Sequence, residues 1–482
     1  MNKLIEKAEE LKPQLIHTKL ELDGNKQTLE AGKSAVYDFG NHYTGYFSVD
    51  FSNVGSHQDA PVLVKFTFAE NKRELDEDTS NYHGWISKSW LQEEILHIDE
   101  LPCKINLQRR YAFRYARIEV LAMSSKHKLV VDRVYLNAVS SAKVDTVSLC
   151  GKNDSEKKID AVALRTLSEC MQTEFEDGPK RDRRLWIGDL RLQALANYET
   201  FKDYNLVKRC LYLFAGTTNE EGRVSACIFT SPKVEADDTF MFDYSLFFSS
   251  ILNDYYAATK DLETLKELYP VALKQVELSA AAFDEHHVMK DSDKLGWCFL
   301  DWNLALNKQA GAQAVYIYAA KAALEMAKIL NEKTEWLEQE IKAKTSAAIE
   351  AFFDKSKGVF TSGADKQVSY SANVWFCLAE VFDQRTNKDI LSKLNSLNDI
   401  VMPVTPYMYH HYIQALVNAN CKDEAEKLMN DYWGGMVEQG ADTFWELYNP
   451  ANPDESPYGG ASVNSYCHAW SCTPSYFLRK YF

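Results

Sequence analysis

The sequence has little of what places a protein in a membrane or sends it out of the cell. No stretch of its 482 residues approaches the roughly 20 apolar residues that a membrane-spanning helix needs. The first ten residues are charged throughout and contain no apolar segment of the kind found in a secretory signal. We therefore predict a cytoplasmic protein that does not bind membranes.

Positive charge is also scarce. The chain has 54 Lys and Arg against 69 Asp and Glu, which gives a net charge of −15. No basic stripe is interleaved with aromatic residues, and a phosphate backbone would repel such a chain. Nucleic-acid binding is therefore not expected.

The ten cysteines are scattered and include no Cys-x-x-Cys pair. The closest two, Cys467 and Cys472, flank His468 but lack further ligands at metal spacing. Reduced thiols in a cytoplasmic enzyme account for this pattern. We predict no metal site and no cofactor.

What the sequence does contain is two parts with different hydrophobic periods. From about residue 27 to 141, β-branched and aromatic residues alternate with polar ones between short turns, which predicts an antiparallel β-sandwich of jelly-roll type. Beyond about residue 154 the period becomes that of a helix. We predict two domains, a sandwich over residues 1–148 and a helical domain over residues 149–482.

The helical part has room for about a dozen helices at the usual element length. Twelve helices close naturally into an (α/α)6 barrel of hairpins. A solenoid is the alternative, although no fixed-period repeat supports it. The clearest amphipathic segments are residues 159–172, 190–214, 244–259, 262–283, 310–330, 334–353, 372–382, 407–418 and 422–433.

Residues 177–189 carry the densest chemistry. Asp177, Asp182 and Asp189 lie among four cations and Trp186, with Gly and Pro beside them. Burial raises the pKa of a carboxyl group and a neighbouring cation lowers it, so one Asp can act as an acid while others stay ionised. A carbohydrate or acid/base site and a solvated loop both fit this composition. Lys180 alone is expected on the surface.

Three further segments, residues 237–244, 297–302 and 434–471, pair a carboxylate with an aromatic ring. Sugars require that combination, because a ring covers their apolar face and acids accept hydrogen bonds from their hydroxyls. Taken singly, Asp301 also fits a helix cap, Trp302 a core residue and His468 a structural histidine. In a helical barrel, loops at one end line a central pocket, so these segments can converge.

Together the segments resemble the α-L-rhamnosidases of glycoside hydrolase family 78, whose catalytic domain is an (α/α)6 barrel. The resemblance spans the helical part, and residues 110–115 have a counterpart in the family's N-terminal sandwich. The family signature runs Asp-Cys-Pro-x-Arg-(Asp/Glu), then Trp and Gly-Asp, and later Trp-Glu and Ser-His-Ala-Trp-Ser. The counterparts here are Asp177 to Asp182 with Gly178 in place of Cys, Trp186, Gly188-Asp189, Asp301-Trp302, Trp445-Glu446 and Cys467 to Ser471.

The resemblance implies that Asp182 is the general acid and Glu446 the general base of an inverting hydrolysis. Inversion needs one carboxyl group to protonate the glycosidic oxygen and another to deprotonate water. Many family members carry the acid as Glu one place further along, where this chain has Arg183. The implied rhamnose-binding residues are Asp177, Arg181, Trp186, Asp189, Asp301, Trp302, Trp445 and His468.

We therefore expect an α-L-rhamnosidase that releases terminal rhamnose from small rhamnosides or oligosaccharides. The accessory domains of larger members have no counterpart in this sequence, which favours small substrates. One alternative is a six-hairpin glycosidase that acts on another sugar. Another is a catalytically impaired sugar-binding protein. An aromatic-rich sandwich is also compatible with a homodimer.

Overall fold

A computed structural model describes residues 3–22, 26–290 and 297–482. Eight antiparallel strands form the N-terminal sheet in the order β1-β8-β3-β7-β4-β5, with β2 also paired to β8 and β6 to β3. The strands are β1 (Ile16–Leu22), β2 (Gln27–Leu29), β3 (Ser34–Gly55), β4 (Val62–Ala69), β5 (Glu93–Ile98), β6 (Cys103–Asn106), β7 (Tyr111–Ala122) and β8 (His127–Ser140).

The long strand β3 organises this domain. Its first half pairs with β7 and its second half with β8. Phe47, Val49 and Phe51 occupy alternate positions and are buried in one core with residues of β4, β7 and β8. The period of two that predicts strands in the sequence is the period with which β3 fills this core.

Thirteen helices are present in the described part of the chain, and twelve of them follow residue 148. They are α1 (Lys3–Glu10), α2 (Asp154–Cys170), α3 (Ile187–Glu199), α4 (Tyr204–Gly216), α5 (Phe242–Thr259), α6 (Leu262–Ser279), α7 (Gln309–Leu330), α8 (Glu335–Phe352), α9 (Tyr370–Leu378), α10 (Gln384–Leu394), α11 (Pro406–Asn418), α12 (Lys422–Glu438) and α13 (Pro474–Lys480).

The odd-numbered helices from α3 to α13 form an inner ring. Each packs against the next, and contact of His410 on α11 with Phe477 on α13 closes the circle. All nine residues of α9 are buried, as expected of a helix enclosed on every side. The even-numbered helices lie outside, and α8 buries one face only. The predicted fold class, an antiparallel sandwich followed by an (α/α)6 barrel, is confirmed.

One helix prediction was wrong, and helices α10 and α13 were not predicted. Residues 190–214 form two helices, because α3 ends at Glu199 and α4 begins at Tyr204, where the Asp203 side chain accepts a hydrogen bond from the Leu206 amide. Helix α10 was not predicted, since its sequence is mostly polar. It is nevertheless capped by Asp383 and buries Ile390 with its few other apolar side chains.

Helix α1 precedes the sandwich in sequence but packs on α4 of the barrel. Arg209, fully buried on α4, donates a hydrogen bond to the carbonyl oxygen of Ala8, and Lys7 pairs with Glu267. Across the three described ranges, no helix combines the length and the apolar character needed to cross a bilayer.

Candidate active site

One pocket of about 320 Å³ lies at the N-terminal ends of the inner helices. Asp189 lies in the first turn of α3 and Tyr244 in the first turn of α5, while His468 shortly precedes α13. Helix N-termini carry partial positive charge, which favours a cluster of acidic groups at this end of the barrel. Eight of the ten predicted site residues line the pocket: Asp177, Arg181, Asp182, Trp186, Asp189, Trp302, Glu446 and His468.

The loop that carries Asp177 and Asp182 is folded around the Asp177 carboxylate. This group accepts hydrogen bonds from the amides of Arg184 at 3.0 Å and Asp182 at 3.2 Å. Gly178 fits the loop because a Cβ atom there would lie 2.5 Å from the carbonyl oxygen of Arg181. A side chain such as Cys would therefore not fit at this position without a shift of the loop.

Glu446 is buried and ion-paired. Arg181 donates a hydrogen bond to one carboxylate oxygen, and the Tyr458 hydroxyl donates one to the other. Burial raises the pKa of Glu446, but Arg181, His468 and the Tyr458 hydroxyl outweigh it and hold the pKa below its ordinary value. Glu446 is therefore an ionised carboxylate at neutral pH, the form that accepts a proton.

Asp182 is the more open of the two proposed catalytic carboxyl groups, with 24% of its side chain exposed against 7% for Glu446. Its carboxylate lies 3.6 Å from Nη1 of Arg181, whereas Glu446 contacts Nη2. One guanidinium thus lies beside both carboxyl groups.

Two further acidic residues of the pocket, Asp177 and Asp189, favour the protonated form of His468. Its Nε2 lies 3.2 Å from the Asp189 carboxylate. Burial lowers the pKa of His468, but Glu446 and Asp189 outweigh burial and raise it. Burial, together with Asp182 and Asp189, raises the pKa of Asp177 to about 8. A carboxyl group whose pKa is raised in this way holds a proton more readily, and in its protonated form it can donate as well as accept a hydrogen bond.

Two predicted site residues are not brought into the pocket lining. Asp301 accepts hydrogen bonds from the amides of Val404, Thr405 and Trp302 and from the Thr405 hydroxyl, so its carboxylate is taken up in fixing the start of α11. Trp445 is buried behind Glu446, where Arg73 covers its ring at 5.0 Å.

The prediction that Lys180 lies on the surface was wrong, because Lys180 is buried. Only 1% of its side chain is exposed, and its Nζ lies 2.7 Å from Glu74 and 3.6 Å from Glu70, both in the N-terminal domain. Glu70 also accepts a hydrogen bond from the Tyr466 amide at 2.7 Å. The N-terminal domain thereby holds both the loop of Asp182 and the loop that leads to His468.

Sequence reasoning missed Tyr458 and two pocket residues of the N-terminal domain, Trp85 and Ile86. Tyr458 lies in a Gly-rich loop between two recognised motifs, and an aromatic residue at that place could have indicated a pocket residue. Trp85 and Ile86 stand more than 90 residues before the first motif, and no pattern connects them to it. Among the described residues, no group of three or more Cys, His, Asp and Glu side chains is arranged to hold a metal ion.

A ring of helical hairpins with paired carboxyl groups in an aromatic-lined pocket defines a glycoside hydrolase of the helical-barrel class. Residues 145–482 match the family described as bacterial alpha-L-rhamnosidase 6 hairpin glycosidase domain, and residues 6–138 match the glycosyl hydrolase family 78 alpha-rhamnosidase N-terminal domain. The chain belongs to this family of α-L-rhamnosidases and is a glycoside hydrolase.

Solved structures agree with this assignment. A rhamnosidase from Klebsiella oxytoca with rhamnose bound is 44% identical, with a TM-score of 0.94 over 99% of this chain and 98% of that one. A family 78 rhamnosidase of Bacillus sp. GL1 is 20% identical, with a TM-score of 0.80 over 94% of this chain and 47% of that one, and shares the fold. No curated protein sequence matches the chain.

Proposed function

We propose that the chain is an inverting α-L-rhamnosidase in which Asp182 is the acid and Glu446 the base. The observation that carries the proposal is the environment of Glu446, where Arg181 and Tyr458 stabilise an ionised carboxylate inside the pocket. A base needs that form, and an acid needs a reachable carboxyl group, which Asp182 supplies. We expect the two groups to be separated by the roughly 6.5–9.5 Å that leaves room for a water molecule.

In the proposed reaction, Asp182 gives its proton to the glycosidic oxygen as the bond from that oxygen to C1 breaks. Glu446 takes a proton from water, whose oxygen attacks C1 from the opposite face. The products are the free leaving-group alcohol and rhamnose of inverted configuration. Asp182 ends ionised and Glu446 protonated, so exchange of one proton with solvent restores the starting state.

The rest of the pocket suits one deoxy sugar. Asp177, Asp189, Arg181 and His468 offer acceptors and donors for hydroxyl groups, and Trp186 and Trp302 offer apolar surface for the methyl group of rhamnose. The volume of about 320 Å³ lies at the small end for ligand sites, which supports small substrates. The bound rhamnose in the Klebsiella oxytoca relative supports the choice of sugar.

A panel of nitrophenyl glycosides tests the proposal. We expect release of nitrophenol from the α-L-rhamnoside, with kcat lowered about 10²- to 10⁴-fold by Asp182→Asn and by Glu446→Gln. Calorimetry of rhamnose binding to both variants controls for loss of the fold. Cleavage of a different glycoside would favour another sugar specificity. Rhamnose binding without turnover of any glycoside would favour the impaired sugar-binding protein.

Cleavage of a different glycoside is a realistic outcome, because another helical barrel of this kind acts on a different sugar. The mannosylglycerate hydrolase of Thermus thermophilus shares the fold with a TM-score of 0.50 and 14% identity over 66% of this chain and 99% of that one. The fold alone therefore does not fix the sugar.

We also propose that the protein is cytoplasmic and that it forms a homodimer. All ten cysteines are free thiols and eight of them are buried, which fits the reducing cytoplasm. Assembly as a homodimer is testable by gel filtration with light scattering.

A further inference from the structure

The N-terminal domain reaches the pocket through the segment between β4 and β5. Tyr82 and Trp85 in this segment contact the loop that carries Tyr458. The Tyr82 hydroxyl donates a hydrogen bond to the carbonyl oxygen of Tyr458 at 2.9 Å, and the Trp85 indole donates one to that of Pro457 at 2.8 Å. Gly84 permits this approach, because a Cβ atom there would lie 1.9 Å from the Tyr458 carbonyl oxygen.

Trp85 is held in place but remains open to solvent. Its indole N–H is satisfied by Pro457, and its ring lies 5.3 Å from that of Tyr458, yet 69% of the residue is exposed. Burial of the ring therefore contributes little to folding. A large indole that lines a pocket in a fixed orientation, with much of its apolar surface uncovered, has the properties of a binding platform.

The position of Trp85 relative to the catalytic groups indicates what it would bind. Tyr458, the ring beside Trp85, contacts Glu446 through its hydroxyl and Arg181 through its face at 4.0 Å. Trp470, deeper in the pocket, is only 4% exposed. The buried aromatic residues enclose the space for the cleaved sugar, and Trp85 lies at the rim, where the rest of the substrate would extend.

We propose that Trp85 is the wall of a leaving-group subsite that takes a flat apolar ring face, either an aromatic aglycone or the C–H face of a second sugar. This inference rests on the proposed function, because it assigns the part of the substrate that the reaction releases. It makes the N-terminal domain a determinant of substrate choice.

The test compares three α-L-rhamnosides: one with a methyl leaving group, one with a nitrophenyl group and one linked to glucose. Stacking on Trp85 predicts that Trp85→Ala lowers kcat/KM about three- to tenfold for the nitrophenyl or the glucosyl substrate, and less than twofold for the methyl substrate. A lower kcat/KM for the nitrophenyl substrate indicates that Trp85 binds an aromatic group, and a lower kcat/KM for the glucosyl substrate indicates that it binds a sugar. Trp85→Phe keeps a ring and retains most of the activity.

Inhibition by free rhamnose distinguishes this subsite from the sugar pocket, because free rhamnose has no leaving group. We expect the inhibition constant of rhamnose to be the same in Trp85→Ala as in the wild type. Trp336→Ala is the matched control, since Trp336 is 41% exposed on the outer helix α8. Equal losses on all three substrates, weaker rhamnose inhibition, or no loss on any substrate would each overturn the inference. If the wild-type protein cleaves none of the three, the proposed function fails and the inference fails with it.

Discussion

Glu446 carries its charge in surroundings that oppose ionisation. Desolvation raises its pKa, and the ionised form prevails because Arg181, His468 and Tyr458 each favour it. Of the three, the Tyr458 hydroxyl makes the simplest test, since it can be removed without removing a charge. Tyr458 also supports Trp85 and Arg181, so the ring must stay.

Tyr458→Phe leaves the ring and deletes the hydrogen bond to Glu446. The pKa of Glu446 then rises, so a larger fraction is protonated and inactive as a base at low pH. We expect the acidic limb of the kcat/KM profile to move to higher pH, with a loss at pH 5 several times the loss at pH 7. Tyr448→Phe is the control, because Tyr448 packs on Trp445. A uniform loss at all pH values would contradict this role.

Motifs that resemble those of the family pointed to most of the predicted residues that line the pocket. Asp177, Arg181, Asp182 and Glu446 stand in recognisable motifs, and they line one pocket. Asp301 shows what the sequence could not predict. An Asp before a Trp has the same sequence pattern whether its carboxylate faces a sugar or, as here, accepts four hydrogen bonds from the protein.

At the scale of elements, the segment from Glu70 to Glu77 connects the two loops of the site. Glu70 and Glu74 hold Lys180, while Glu77 accepts hydrogen bonds from the amides of Ala461 and Ser462. No sequence pattern predicts this connection, because Glu77 and Ser462 are 385 positions apart and each resembles an ordinary surface residue. Only tertiary packing makes them neighbours.

Lys180→Met tests that connection. It leaves Glu74 buried without its cation, whereas Glu70 keeps its contact with His42, and breaking a buried pair costs about 3–5 kcal/mol of stability. We expect a lower unfolding midpoint in urea and a lower kcat, since Arg181 follows directly in the chain. Adding Glu74→Gln removes the carboxylate that has lost its cation and recovers part of the stability.

Lys126→Met is the control for the loss of a lysine charge, because Lys126 pairs with Asp59 at the exposed surface. That variant should unfold close to the wild-type midpoint. A Lys180→Met protein as stable as the wild type would rule out the connecting role.

At the scale of the whole molecule, buried titratable groups in the pocket and where the two domains meet make stability depend on pH. Desolvation raises the pKa of Glu74 and of Glu169 to about 7, and that of Asp177 to about 8. Each carboxyl group ionises freely in the unfolded chain above its ordinary pKa but is opposed in the fold, so stability falls as pH rises toward the folded value.

His42 also makes the protein less stable as pH rises, but it does so by losing a favourable positive charge. Desolvation lowers its pKa, but Cys467, Glu70 and Glu169 outweigh it and raise the pKa to about 10. The stability from its imidazolium is complete below about pH 6.5 and is lost as pH rises toward 10.

We therefore expect a Tm that is lower by several degrees at pH 9 than at pH 6, measured by differential scanning calorimetry. Glu169→Gln removes one of the contributing carboxyl groups and should flatten the decline between pH 5 and 7. A wild-type Tm that is equal or higher at pH 9 would contradict this reading of the buried cluster.

The stereochemistry of the first product tests the proposed roles of Asp182 and Glu446 most directly. Proton NMR during the first minutes of hydrolysis of an α-L-rhamnoside, before the free sugar mutarotates, reports the anomer that is formed. Inversion by Asp182 and Glu446 predicts β-L-rhamnose first, with the α anomer appearing only later. Initial release of α-L-rhamnose would contradict it, because retention requires a covalent intermediate and a different role for one of the two carboxyl groups.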